Sequence, residues 1–286
     1  MPDQNRARPN TCNPADPPAG NLARALACAT LPTMAPRFTL AQADAVSWLR
    51  SLPAASADLL IADPPYESLE KHRAIGTTTR LKHSKASSND WFTIFPNARF
   101  PELFEAAYRV LKKNAHFYLF CDPETMFVAK PLGEAAGFKF WKPLIWDKRT
   151  IGMGYHYRAR YETILFFEKG KRRLSDLGVP DIIEAPRVRG GFPTQKPVEV
   201  AEVLVGQSSA PGELVIDPFM GSGSFGVAAV GLGRNFAGAD IAPKANEIAG
   251  KRLREAGGRD GRQPRRSPET WAIRGQTNTI GDGEAA

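Results

Sequence analysis

The sequence predicts an α/β fold, a mostly parallel sheet with helices on both faces. Between residues 37 and 254, apolar strand-like runs alternate with segments of helical spacing, the pattern of βαβ units. Two of those runs end in compact motifs, Asp63-Pro64-Pro65-Tyr66 and Asp217-Pro218-Phe219-Met220-Gly221-Ser222-Gly223, where open α/β sheets place their ligands. The 286 residues are 42% hydrophobic and 24% charged, enough apolar material for a sizeable core.

Residues 37–41 read as a short strand and 43–52 as a short helix ended by Pro53. The run 58–62 (DLLIA) is a buried strand, stopped by Asp63-Pro64-Pro65 because proline cannot continue a ladder. Leu103, Phe104, Ala107, Tyr108 and Leu111 carry helical spacing through 100–111. The run 115–121 is strongly β, 125–136 reads as helix, and 143–146 and 162–167 read as strands. Pro197 opens a helix over 197–205 from its first turn. Strand 214–216, helix 224–231, strand 235–239 and helix 244–255 complete the order, and no internal repeat is visible.

Residues 1–36 are rich in Pro, Ala and Asn without apolar periodicity and read as a flexible N-terminal arm. Residues 37–256 read as one domain, and 257–286 as a flexible basic C-terminal tail. No run approaches the roughly 18 apolar residues of a membrane span, and the first thirty residues lack an apolar signal core. The expectation is a cytoplasmic protein without a membrane partner. The cysteines Cys12, Cys28 and Cys121 are odd in number and scattered, which argues against a disulfide framework or a cysteine-built metal site.

The net charge of +8 suggests a polyanionic partner. Residues 139–173 hold ten Lys/Arg against Asp147, Glu162 and Glu168. Residues 67–100 hold six basic residues against Glu67, Glu70 and Asp90, in a long stretch of little periodicity. Such loops are usually functional or disordered.

Asp63-Pro64-Pro65-Tyr66 offers a carboxylate, a rigidly aimed backbone carbonyl and an aromatic plane. That set suits a planar ring bearing an exocyclic amine: two acceptors meet two N–H donors while the ring stacks. Asp16-Pro17-Pro18-Ala19 shares three letters but follows no strand and precedes no aromatic residue, so it reads as loop. In the second motif, Gly221 and Gly223 permit close backbone approach to a ligand at a helix N-terminus. The spacing Gly221-x-Gly223-x-x-Gly226 also fits a dinucleotide fingerprint. Asp217 opposes that reading, since its charge would repel a pyrophosphate and favours a cationic ligand. Asp240, about twenty residues on, can accept both hydroxyls of a ribose.

Taken together, these motifs make the chain resemble the amino-methyltransferases of DNA. There D-P-P-Y is the catalytic motif and D-P-F-x-G-S-G the S-adenosylmethionine (AdoMet) motif. The catalytic motif comes first here, the circularly permuted order of the β group. Asp44, Asp58, Trp146-Asp147-Lys148, Gly152-x-Gly154-Tyr155, Arg160-Tyr161-Glu162-Thr163-Ile164-Leu165 and Thr194-Gln195-Lys196-Pro197 stand in matching order. The resemblance spans about residues 37–254 and implies a Rossmann-like AdoMet-dependent methyltransferase fold.

By position, the resemblance assigns Asp63, Pro64, Pro65 and Tyr66 to holding and activating the target amine. Asp217, Phe219, Gly221 and Gly223 would line AdoMet, Asp240 would bind its ribose, and Asp44 would contact its adenine. The glycine that usually precedes that last acid is Ala43 here. Thr194 and Lys196 would close the methionine end. Asp, where cytosine-N4 members often have Ser, favours the N6 amine of a flipped adenine; cytosine-N4 methylation is the alternative, and an inactive DNA-binding homologue a more distant one. No cysteine follows proline, so a covalent cytosine-C5 route is unsupported.

Double-stranded DNA is the implied partner. Residues 67–100 read as a DNA-facing insertion, with Lys71, Arg73, Arg80, Lys82 and Lys85 as candidate contacts. Residues 168–193 read as a short target-recognition segment, with Lys171, Arg172 and Arg173, and Arg158 stands just before it. Homodimerisation and a cognate restriction enzyme are left open by the sequence, and no metal is expected.

Overall fold

The computed structural model describes residues 35–67, 93–152, 157–190, 192 and 194–261. Among them, nine strands form one sheet: β1 (Arg37–Gln42), β2 (Ala57–Ala62), β3 (Leu111–Cys121), β4 (Lys139–Asp147), β5 (Tyr161–Lys169), β6 (Ile182–Glu184), β7 (Leu214–Asp217), β8 (Asn235–Asp240) and β9 (Arg259–Asp260). The helices are α1 (Ala45–Ser51), α2 (Phe100–Val110), α3 (Pro123–Ala135), α4 (Val198–Ser208), α5 (Ser224–Gly231) and α6 (Pro243–Glu255). The strand order is β6-β4-β5-β3-β2-β7-β8-β1-β9. Only β5 runs against its neighbours, pairing antiparallel with β3 and β4.

The sequence of β2 shows why it lies at the centre. All six of its residues are buried, as a parallel strand covered on both faces requires. Successive side chains alternate between two cores. Leu60 and Ala62 join Leu103, Phe104, Phe117 and Phe167 beneath α1–α3. Leu59 and Ile61 join Val200, Leu204, Phe225 and Leu253 beneath α4–α6. At its other end Asp58 takes the Lys112 ammonium at 2.8 Å and the Leu214 amide at 2.9 Å, tying β2 to both neighbours.

Asp44 caps α1 through the amide of Ser47, so this helix starts at Ala45 rather than at 43. Likewise Pro197 is the cap of α4 rather than its first helical residue. Strand β4 is longer than the 143–146 run, because its half-exposed Lys and Trp positions hide the alternation. Two strands leave little mark on the sequence. β6 has three residues with one buried, and β9 has two exposed residues that pair with β1.

The outer boundaries shift accordingly. The sheet continues through Asp260, and the Gly261 amide reaches the Phe38 carbonyl at 2.7 Å, past the expected start of a tail at 257. The segment 168–193 contributes β6, which pairs with β4.

β2 and β7 are neighbours, and from them the sheet proceeds in opposite senses, to β3 on one side and β8 on the other. A crevice opens at the carboxyl ends of strands at such a switch point.

Candidate active site

Four acids cluster at that edge. Asp63 follows β2, Asp217 ends β7, Asp240 ends β8, and Asp44 follows β1. Beside them lies an open cleft, where ligands of open α/β sheets bind. Asp63, Pro65, Thr194, Lys196, Phe219, Gly221, Asp240 and Asp44 line it together with Phe95, Arg99 and Phe192. Residues far apart in sequence therefore meet here, as their motifs suggest.

Asp63 is the head of a buried polar chain. Its Oδ1 accepts the Tyr66 hydroxyl at 2.9 Å, and its Oδ2 accepts the Lys196 ammonium. Lys196 also faces Glu162 Oε2 at 3.4 Å, while Glu162 Oε1 pairs with Lys148 at 2.8 Å. Lys196 and Lys148 are both buried, so the four charged groups balance in a poorly solvated place. Burial raises the Asp63 carboxyl above its ordinary value, with Lys196 pulling it back and Glu162 adding to the rise. Burial also works against the charge of Lys196, but the carboxylates of Asp63 and Glu162 outweigh it and hold the ammonium protonated. The Tyr66 hydroxyl stays neutral, raised by burial and then by the Asp63 charge beside it. Past Tyr66 the backbone is fixed: the Pro65 carbonyl accepts the Phe95 amide at 2.9 Å.

The glycine turn is built as its composition demands. Gly221 and Gly223 have φ of +49° and +76°, a region that L side chains adopt with strain. A Cβ on Gly223 would also stand 2.9 Å from the Cβ of Ala249. The Gly221 amide points to Asp240 Oδ2 at 2.9 Å, and the Ala242 amide to Oδ1 at 2.8 Å. Asp217 lies beneath the floor, fully buried, and is not part of the cleft wall. Its Oδ1 accepts the Phe219 amide, while Oδ2 finds no donor among the described residues. Burial lifts its pKa well above the carboxylate range. Thr194 is exposed at the rim with φ of +61°, a strained state for a β-branched residue.

Asp44 departs from its expected setting. The Arg99 guanidinium holds both its oxygens, at 2.8 and 3.0 Å, and keeps its carboxyl well below the usual range. Arg99 in turn lies 5.2 Å from the centre of the Phe95 ring. An acceptor for an adenine is thus already shared with a cation.

The basic residues separate into groups. Lys71, Arg73, Arg80, Lys82 and Lys85 lie outside the described residues. Arg158 stands before β5 at the Asp63 end of the sheet, where its Nε donates to the Gly152 carbonyl at 2.7 Å. Arg187 and Arg189, exposed beyond β6, belong to the same end. Lys171, Arg172 and Arg173 do not. Because β5 runs antiparallel, Lys169 pairs with Ala115 at the start of β3, whereas Thr163 pairs with Cys121 at its end. The triplet after Lys169 therefore emerges at the opposite edge from Asp63. There Arg172 pairs with Glu213 at 2.5 Å, and Lys171 donates its amide to Asn114.

Sequence reasoning gave no role to Glu162, Lys148, Arg99 or Phe95. A signal existed for the first two: each is a charge at the end of an apolar strand run, in Trp146-Asp147-Lys148 and Tyr161-Glu162-Thr163. Nothing local marks Arg99.

An α/β sheet with acids at its switch point and a glycine turn beside them defines a nucleoside-binding class of enzyme. Comparison with known proteins narrows it. Residues 57–251 match the model of the N6/N4 DNA methylase family, and the chain belongs to that family of AdoMet-dependent methyltransferases. It is 28% identical over 256 residues to the DNA adenine methyltransferase YhdJ of Escherichia coli K12, covering 75% of this chain and 82% of that protein. It is 27% identical over 238 residues to the type II methyltransferase M.HpaI of Haemophilus parainfluenzae, covering 73% and 72%. Among solved structures, M1.HpyAVI superposes with a TM-score of 0.56 at 21% identity, covering 76% of this chain and 98% of that one. The PvuII cytosine-N4-specific DNA methyltransferase superposes with a TM-score of 0.59 at 16% identity, covering 76% and 88%. These two likenesses bear on the fold.

Proposed function

We propose that this DNA methylase transfers its methyl group to the exocyclic N6 amine of an adenine turned out of duplex DNA. The observation that carries the reading is the half-buried Asp63-Pro64-Pro65-Tyr66 strand end, whose Asp63 and Pro65 line the cleft that also holds Asp240. An exocyclic nitrogen cannot reach a recessed strand end while it stays stacked in a duplex.

The residues present fit AdoMet. Asp217 Oδ2 is a buried acceptor beneath the cleft floor without a protein donor among the described residues, suited to the ligand's ammonium through an intervening water rather than directly. Asp240 keeps lone pairs for ribose hydroxyls while holding the turn, since each carboxylate oxygen accepts more than one bond. Phe219, Gly221 and Thr194 shape the walls and Phe95 offers an aromatic face; Gly223, expected to line the cofactor, is buried against Ala249 instead and serves the turn. Asp44 acts in this reading with Arg99 as a pair at the rim rather than as a free acceptor. When bound, the cofactor supplies the electrophilic methyl group.

The chain's own residues then position the amine. Asp63 accepts one N–H, a backbone carbonyl of the Pro64-Pro65 pair accepts the other, and Tyr66 stacks on the ring. Drawing both hydrogens toward acceptors localises the nitrogen lone pair for in-line attack. The proton lost on methylation is the one held toward Asp63. Arg158, Arg187 and Arg189 face DNA at this edge.

The identity to a DNA adenine methyltransferase supports the choice of base. Mass spectrometry of nucleosides from DNA treated with the protein and AdoMet tests it. N6-methyladenine is expected. N4-methylcytosine alone would replace adenine by cytosine, and no methylated base would remove the reading.

A further inference from the structure

We propose that Lys196 guards the Asp63 oxygen that the target amine needs, and that Glu162, braced by Lys148, receives its ammonium when the amine arrives. The proposal rests on the reading of Asp63 as the amine acceptor.

Without a base, both Asp63 oxygens are engaged, Oδ1 by Tyr66 and Oδ2 by Lys196. Each oxygen keeps a further lone pair, but an ammonium on Oδ2 competes with the amine for that oxygen's charge, so a strong bond to the amine requires one donor to yield. Tyr66 follows two prolines and is bridged through its backbone to Phe95, so it is the stiffer of the two. Lys196 carries its charge on a flexible four-carbon stem.

A second seat stands ready. Glu162 Oε2 lies 3.4 Å from the Lys196 ammonium, is buried, and has no hydrogen bond among the described residues. Its sister oxygen is held by Lys148 at 2.8 Å, which keeps the carboxylate charged and aimed. A buried acceptor left unmatched beside a cation is costly unless used at some stage. Moving the ammonium from Asp63 to Glu162 creates and removes no charge, since two carboxylates and two ammoniums remain. If Glu162 were absent, the displaced cation would lose its partner in a poorly solvated place.

The arrangement has a chemical use. While Lys196 sits on Asp63, that carboxylate cannot draw a proton from water facing the methyl donor. Arrival of an amine releases it. Glu162 and Lys148 touch no substrate in this scheme; they are positioning residues.

The test is tritium transfer from labelled AdoMet to unmethylated genomic DNA by wild type, Glu162→Gln and Glu162→Asp. Glu162→Gln keeps the shape but removes the charge that draws Lys196 away. Its kcat should fall about tenfold or more, with the KM for DNA and the Kd for AdoMet within about twofold of wild type. Glu162→Asp restores the charge and should recover part of kcat without changing either affinity. Wild-type kcat in Glu162→Gln overturns the proposal. So does a loss in which both variants fail alike, with AdoMet affinity and Tm falling in step, because that marks a purely structural role. Absence of transfer by wild type would instead overturn the proposed function itself.

Discussion

The carboxylate of Asp240 accepts the amide hydrogen of Gly221 at 2.9 Å. The acid that ends β8 thereby fixes the glycine turn that follows β7. One residue both shapes the cleft and lines it, so its loss should be felt twice.

Asp240→Ala removes the acceptor for two backbone amides and, in the proposed function, for a ribose. Hydrogen bonds to charged groups contribute about 1.5–3 kcal/mol each. AdoMet affinity should fall about tenfold or more, and Tm should drop with it. Asp240→Asn, which keeps one acceptor oxygen, should lose less of both. Calorimetric titration and thermal melting measure the two effects, and wild-type affinity in the alanine variant would remove Asp240 from the cofactor site.

Asp63→Asn should separate chemistry from cofactor binding. The amide keeps the shape and one acceptor oxygen but loses the charge that holds Lys196 and can take up the amine's proton. Methyl transfer is expected to fall by about 10²-fold or more, with AdoMet affinity nearly unchanged. The glycine turn and Asp240 are untouched by the change. Substantial turnover by this variant would argue against the amine-holding role.

The two basic groups should behave differently toward DNA. Arg187→Ala and Arg189→Ala lie at the Asp63 edge, and each phosphate left without its cation should lower the log–log salt slope by about 0.9. Lys171→Ala and Arg173→Ala lie at the opposite edge and should leave the slope as it is. Filter binding to duplex DNA from low to moderate salt reads the difference. Equal effects from both pairs would contradict a duplex bound along one edge.

His116 should govern part of the acid stability. Buried in β3, it bonds Ser208 at 2.7 Å and the Arg172 carbonyl at 3.0 Å. Burial pushes its pKa down to about 4 from 6.5, with Glu168 opposing the shift. Between these values the unfolded chain binds the extra proton, so stability falls as pH drops through that window. From about pH 7 to about pH 4.5 the loss attributable to this group is roughly 2 kcal/mol. His116→Asn should flatten that limb in urea titrations at each pH. An unchanged pH dependence would mean that other groups set it.

The sequence alone determined the α/β class, the order of its main elements and the motifs that meet in the cleft. These were legible because they are local. A fully buried parallel strand such as β2 must be a continuous apolar run, and a tight turn into α5 must use glycine. The placement of Asp63, Asp217 and Asp240 at strand ends followed from the same runs. Residues 68–92, with the basic insertion, lie outside what the structure describes.

Tertiary structure decided which charges meet. Lys196 and Asp63 stand 133 residues apart, and no spacing rule connects them; only the fold of β2, of β5 across β3 from it, and of the start of α4 gathers them with Glu162. Arg99 on Asp44 and Asp217 beneath the floor were equally invisible, since both depend on how elements pack rather than on neighbours in the chain. The clearest case is Lys171-Arg172-Arg173. As a charge run it reads as a DNA-facing patch, but a strand reverses end for end when it pairs antiparallel. β5 does so against β3, and that one pairing carries the triplet to the far edge of the sheet. Strand direction is set by hydrogen bonds between distant segments, and it is there that local sequence ceases to decide position.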